Sequence, residues 1–227
     1  MKVLITGTSN GMGKNAALKF LSLGHIVYGI DIKEASIDDK NYHHYVVDIK
    51  SKNLPEIKDL DIIINNAGSQ NNNDQNNNDI ENNLVGTINL TEFYLNINKN
   101  IKSILFNASA SSITGAEFSE YAASKAGIVG YMKNLAIKLA GSGTIVNAIS
   151  FGGVITDSNK VVMEDSNLWQ QIMDVTPLKK WTTLEEASEW IYFLTVINHS
   201  ATGENFLVDN GEAKLNQKFI WKKGSVK

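Results

Sequence analysis

"TGTSNGMG", Thr6 to Gly13, follows the apolar run Val3-Leu4-Ile5, and its three glycines decide how the chain is read. Residues 2–6 form a short buried-strand pattern. Residues 13–24 then read as a helix with Ala16, Ala17, Phe20 and Leu21 on one face and Gly24 as its stop. Glycines between a strand and a helix let the backbone turn tightly and keep Cβ atoms away from the helix N-terminus, where a phosphate would settle. A glycine-rich turn without a ligand is the competing reading of these eight residues taken alone.

Further strand patterns follow at 25–31, 42–48, 61–65, 102–108, 144–150 and 205–209, with helical patterns at about 79–98, 119–140 and 183–197. Alternation of this kind implies parallel pairing, because right-handed crossovers lay the helices over both faces of the sheet. The expected fold class is α/β: a doubly wound, Rossmann-type, seven-stranded and mainly parallel sheet with helices on both faces. No linker or repeat divides the chain. One domain is expected over residues 1–211, including a substrate lid at about 152–181, followed by a tail over 212–227. Pro55 and the short interval from Asp48 to Asp61 predict an abbreviated crossover there.

Composition narrows the function. The 227 residues carry a net charge of -3, which gives no field to gather nucleic acid or an anionic membrane. Cys is absent, so disulfides and thiolate metal sites are excluded, and no metal site is expected. Only three apolar residues follow Met1-Lys2, too few for a signal peptide, and no stretch reaches the roughly 18 apolar residues of a spanning helix. A cytoplasmic protein acting on a small molecule is the expectation.

Three later features favour a dinucleotide at the glycine turn. Asp31 closes the second strand about 20 residues after the glycines, where a carboxylate can take both ribose hydroxyls and repel a 2′-phosphate. Asn10 offers no positive charge to offset that repulsion, although Lys14 and Lys33 stand nearby; NAD is favoured over NADP. "NNAG", Asn65 to Gly68, closes the fourth strand, and "YAASK", Tyr121 to Lys125, puts a phenol and an ammonium on one helix face.

The glycine turn, Asp48, NNAG, Asn83 in "NNLVG", Ser109 and "YAASKAG" together resemble the short-chain dehydrogenase/reductase family. The likeness runs on through "VNAISFGGVITD" (146–157) and "ATGENFLVDNG" (201–211) and is strongest to the acyl-carrier-protein reductases and the sugar and steroid dehydrogenases. It implies an NAD(H)-dependent oxidoreductase that interconverts a carbonyl and a secondary alcohol, in a homo-oligomer, tetramer or dimer. The resemblance makes Tyr121 the acid/base, Lys125 its activator and ribose ligand, and Asn83 the holder of a relay water through its helix backbone. Ser109 takes the serine place with Ser111 in reserve, since the segment from Ser109 to Tyr121 is one residue shorter than usual. The implied cofactor contacts are Gly7, Ser9, Asn10, Gly11, Met12, Gly13, Asp31, Ile32, Asp48, Ile49, Asn66, Ala67, Gly68, Gly152, Val154 and Thr156, with Tyr121 and Lys125.

The chemistry asks for the same residue types. The cofactor carries the hydride, and the protein manages charge on the carbonyl oxygen. Ser109 and Tyr121 can donate to a developing alkoxide, while a neighbouring ammonium draws a phenol from its usual value near 10 toward working pH. Phe151-Gly152 replaces the family's Pro-Gly, which frees that loop. A dinucleotide-binding regulator or scaffold without catalysis is therefore the alternative class. The polar run 70–79 reads as a mobile loop or one wall of the substrate mouth. Val161, Val162, Met163, Leu168, Trp169, Ile172 and Met173 give the lid an apolar face, which either packs on the protein or, where it faces the cleft, suits an apolar or mixed carbonyl compound. Phe219, Ile220 and Trp221 in the tail belong either to a solvated end or to an arm on another subunit.

Overall fold

In the computed structural model, which describes residues 1–70, 78–116 and 118–215, the first strand is covered on both sides. Leu4 packs into one apolar core, Val3 and Ile5 into another. Ile63 divides from Ile62 and Ile64 in the same way. Successive strand residues point to opposite faces, so a strand buried on both reads as an unbroken apolar run.

The strands are β1 (Lys2–Thr6), β2 (Ile26–Asp31), β3 (Tyr42–Val46), β4 (Ile62–Asn65), β5 (Ser103–Asn107), β6 (Ile145–Phe151) and β7 (Asn205–Val208). They form one sheet in the order β3-β2-β1-β4-β5-β6-β7. Every adjacent pair is parallel, so the sheet is parallel throughout. The chain winds outward from β1 to β3, returns to the other side of β1 at β4, and winds outward again. The carboxyl ends of β1 and β4 therefore border the crevice in which such sheets bind ligands.

Among the described residues the α-helices are α1 (Gly11–Ser22), α2 (Thr87–Ile97), α3 (Ser111–Thr114), α4 (Ser119–Leu139), α5 (Lys160–Glu164), α6 (Ser166–Val175) and α7 (Leu184–Tyr192). A capping box starts α7, with Thr183 Oγ1 accepting from the Glu186 amide and Glu186 accepting from the Thr183 amide. No helix lies between β3 and β4, as Pro55 and the short interval predict. Tyr94 reaches that segment and donates to the Pro55 carbonyl (2.8 Å).

The structure breaks two helical patterns that the sequence presents as continuous. Residues Ile80–Gly86 and Phe193–Ile197 are π-helical, one running into α2 and the other out of α7. A π turn shifts backbone partners by one residue and often marks a functional position. Most of the polar run (residues 71–77), Glu117, and the tail from 216 with Phe219, Ile220 and Trp221 lie outside the described residues.

Candidate active site

Gly13 is pressed against the Gly7 carbonyl and the Asn66 side-chain amide, leaving no space for a Cβ. Gly11 differs: its φ is +53°, and a Cβ there would meet nothing within 4 Å. The turn is thus packed underneath and open in front of α1. Asn10 makes no side-chain cap, and the first turn of α1 holds no acid. A 12-residue helix so placed presents uncapped N–H groups and partial positive charge to the crevice. That open, uncapped cradle fits the diphosphate of a dinucleotide.

The neighbouring strand is fastened to this turn. Thr6 Oγ1 accepts from the amides of Asn66 (3.0 Å) and Ala67 (2.9 Å). Asn66 Nδ2 donates to the carbonyls of Thr6 (3.0 Å) and Gly7 (3.3 Å), and its Oδ1 accepts from Asn107 Nδ2 (3.0 Å). These bonds tie the NNAG segment to the glycine turn and to β5.

At the end of β2, Asp31 Oδ2 accepts from the Ser9 amide and Oδ1 from the Lys33 amide, both at 2.9 Å. Two backbone donors fix the carboxylate beside the glycine turn. Ile32 is exposed there. Asp48 is exposed and accepts from the Lys50 amide (2.9 Å). Ile49 is turned inward against Gly86, into the core, so its side chain serves packing.

Across the crevice, α4 carries Tyr121 and Lys125. The Lys125 Nζ lies 5.6 Å from the centre of the Tyr121 ring and donates to the Asn107 carbonyl (2.9 Å). Lys125 is buried, and desolvation pulls its ammonium down to about 8, opposed by the Asp79 carboxylate. Gly68 backs onto the same place: a Cβ on it would stand 2.9 Å from Asn83 Oδ1 and 3.3 Å from Lys125 Nζ. Asn83, in the π turn, accepts from the Ser69 amide (2.7 Å) and donates to the Ser69 carbonyl (2.8 Å) and Ser124 Oγ (3.1 Å).

Ser109 follows β5, and Ser111 opens α3. Ser109 Oγ donates to Ser111 Oγ and accepts from the Ser111 amide, both at 3.2 Å. Both serines are buried, with their hydroxyls side by side. Ser112 Oγ lies instead 3.4 Å from Ser150 Oγ.

The loop after β6 is braced from the lid side. The amide of Gly152 donates to the Val208 carbonyl (3.1 Å), that of Thr182 to the Gly153 carbonyl (3.0 Å), and that of Ile155 to the Thr182 carbonyl (2.9 Å). Trp181 lies on Gly153, and Trp169 of α6 meets it edge to face at 5.0 Å. The Trp181 indole N–H is buried with no hydrogen-bond partner among the described residues. Val154 is packed into the core and its carbonyl accepts from Asn159 Nδ2 (2.8 Å), and Met12 packs partly against the same core. Thr156 is half-buried. Of the apolar residues expected in a lid, Met173 is buried, whereas Val161 and Leu168 are exposed.

The structure thus gathers Gly68, Asn83, Tyr121 and Lys125 on one side, the serine pair at the end of β5, and Asp31 beside the glycine turn. Sequence reasoning missed Thr6, Ser69, Asn107 and Ser124, which hold these groups. Their signal is cross-strand register, which the order of residues along one chain does not carry. Among the described residues no helix is long and apolar enough to cross a membrane, and no group of three or more His, Asp or Glu could hold a metal.

Residues 7–212 match the family model described as Enoyl-(Acyl carrier protein) reductase. The 3-oxoacyl-(acyl-carrier-protein) reductase FabG of Buchnera aphidicola subsp. Schizaphis graminum is 30% identical over 92% of this chain and 95% of its own. Two solved structures share the fold. 4-Hydroxyisoleucine dehydrogenase complexed with NADH has TM-score 0.82 at 22% identity, covering 95% of this chain and 99% of that one. An Agrobacterium tumefaciens protein solved with bound NADP, a candidate 2-deoxy-D-gluconate 3-dehydrogenase, has TM-score 0.81 at 23% identity, covering 92% and 95%.

Proposed function

We propose the chemistry of this site from one premise: the chain belongs to the short-chain dehydrogenase/reductase family and is an oxidoreductase dependent on a nicotinamide dinucleotide. The proposed reaction is interconversion of a carbonyl and a secondary alcohol, with NAD(H) favoured over NADP(H). The observation that carries it is the buried Lys125 ammonium, 5.6 Å from the Tyr121 ring and against the Gly68 backbone.

The dinucleotide supplies the hydride when bound. In reduction, Tyr121 Oη gives its proton to the carbonyl oxygen while Lys125 steadies the phenolate that remains; in oxidation the proton travels back. The serine pair donates a hydrogen bond where negative charge gathers on that oxygen, with Ser109 the first choice and Ser111 the second. The Asn83 side chain holds the Gly68–Ser69 backbone on both its donor and acceptor sides, and its π turn leaves the helix backbone able to hold a relay water. Asp31 takes the adenosine ribose hydroxyls and opposes a 2′-phosphate.

The Buchnera relative's name and the apolar side chains of the lid support a 3-oxoacyl thioester as the leading substrate class. A homo-oligomer, tetramer or dimer, and a cytoplasmic setting go with this proposal. The test is a panel of 3-oxoacyl thioesters, keto sugars and secondary alcohols assayed at 340 nm with both cofactors. Turnover on none of them would sink the catalytic reading. NADH binding without turnover would instead favour the regulator.

A further inference from the structure

Ser69 is gripped by the turn that carries Asn83. The Asn83 side chain takes its amide (2.7 Å) and its carbonyl (2.8 Å), and the Ser69 hydroxyl accepts from Asn82 Nδ2 (3.0 Å). The hydroxyl proton goes to Asp79, with Ser69 Oγ donating to Asp79 Oδ1 at 2.7 Å. Asp79 directly precedes the π turn and is 1% exposed. The proposed reaction gives it no part.

A carboxylate at that depth is costly to ionise unless a positive charge stands close by. Among the described residues the buried charged side chains are Asp79, Lys125 and Asp209. Asp209, just after β7, accepts from the amides of Gly211 (2.9 Å) and Ala213 (2.7 Å) and so serves its own turn. Lys125 is left as the counter-charge. It borders the segment that Asp79 holds, since a Cβ on Gly68, the neighbour of Ser69, would lie 3.3 Å from Lys125 Nζ. The Asp79 charge works against the desolvation of that ammonium. From α4 the ammonium faces Tyr121 and from β5 the Asn107 carbonyl, while Glu81, two residues past Asp79, is exposed. Gly68 and Ser69 thus touch both buried charges.

A fixed negative charge near a phenol and an ammonium makes the first proton of that pair harder to lose, whichever group gives it up. Both protons then stay at neutral pH, the state in which Tyr121 has one to give.

We propose that Asp79 is the buried counter-charge of Lys125, a positioning residue that keeps the Tyr121–Lys125 pair fully protonated and so ready to reduce a carbonyl. The inference rests on the proposed roles of Tyr121 and Lys125 and adds a carboxylate to them.

The test is an NMR titration of the full chain labelled with carbon-13 at lysine Cε, without dinucleotide or substrate. The Lys125 signal is identified by its loss in Lys125→Met, and in the wild type it titrates at about 8. Asp79→Asn keeps an oxygen for the Ser69 hydroxyl but removes the charge, and the midpoint moves to lower pH by about one pH unit. Asp79→Glu, which keeps the charge, moves it back toward wild type. A role confined to the Ser69 hydrogen bond predicts no movement, because asparagine preserves that bond. Thermal melts check that each variant is folded, and Asp79→Ser supplies a second neutral side chain if asparagine unfolds the chain. In carbonyl reduction the alkaline fall in turnover moves in the same direction. A Lys125 midpoint within about 0.3 pH units of wild type in a folded neutral variant overturns the proposal. Wild-type protein that reduces no carbonyl sinks the redox reading instead, and the titration still decides the pairing.

Discussion

The Lys125 ammonium donates a 2.9 Å hydrogen bond to the carbonyl of Asn107, the last residue of β5. A buried cation held by a carbonyl gives up its hydration, and burial brings it down to about 8. The folded protein therefore holds this proton less tightly than the unfolded chain, whose lysine titrates near 10.4. Between those values the unfolded state binds more protons, so this group's contribution to stability rises with pH. Urea unfolding of wild type and Lys125→Met at pH 7.5 and 9.5 should show the apo wild type gaining about 1–2 kcal/mol relative to the variant. A constant difference would mean that Lys125 titrates normally.

Tyr121→Phe removes one oxygen from a partly buried ring and leaves the crevice lined as before. Turnover should fall by at least about 100-fold, while the NADH dissociation constant stays within about threefold. Activity above about a tenth of normal would move the acid/base role to another group.

The two glycines of the turn should fail differently. In Gly13→Ala the new methyl runs into the Gly7 carbonyl and the Asn66 amide, which lowers the apo melting point by an amount equivalent to about 1–3 kcal/mol. Gly11→Ala meets no neighbour, but its backbone stays in the left-handed region, at about 1 kcal/mol, and its methyl stands where the diphosphate would rest. NADH titration should show binding lost in both, whereas calorimetry separates them by stability.

The serine pair predicts partial redundancy. Ser109→Ala should lower turnover by about 10- to 100-fold, since Ser111 Oγ remains at the same place, and the double alanine variant by more than about 1,000-fold. Steady-state rates at saturating NADH test this. Equal rates for the single and double variants would leave one serine without a role.

Much of this was legible beforehand, for physical reasons. Strands buried on both faces must be apolar throughout, so Val3-Leu4-Ile5 and Ile62-Ile63-Ile64 announce themselves. The missing helix before β4 follows from Pro55. What stayed hidden depends on partners distant along the chain. The π turn around Asn83 shows no break in apolar spacing, because a one-residue slip in backbone bonding leaves the sequence pattern unchanged. Ser109 and Ser111 could not be separated by spacing, and the structure explains the ambiguity by bringing their hydroxyls together. The packing of the Ile49 side chain into the core against Gly86 likewise joins residues far apart along the chain. The bond from the Tyr42 hydroxyl to Thr8 Oγ1 needs β1, β2 and β3 side by side before it can be seen.

The edge-to-face contact of Trp169 and Trp181 ties a lid helix to the loop that carries Val154. Any tilt of α6 must part the indoles, and the buried N–H of Trp181 would then gain access to water. A ligand that moves α6 should therefore shift the colour of intrinsic emission, with no added dye.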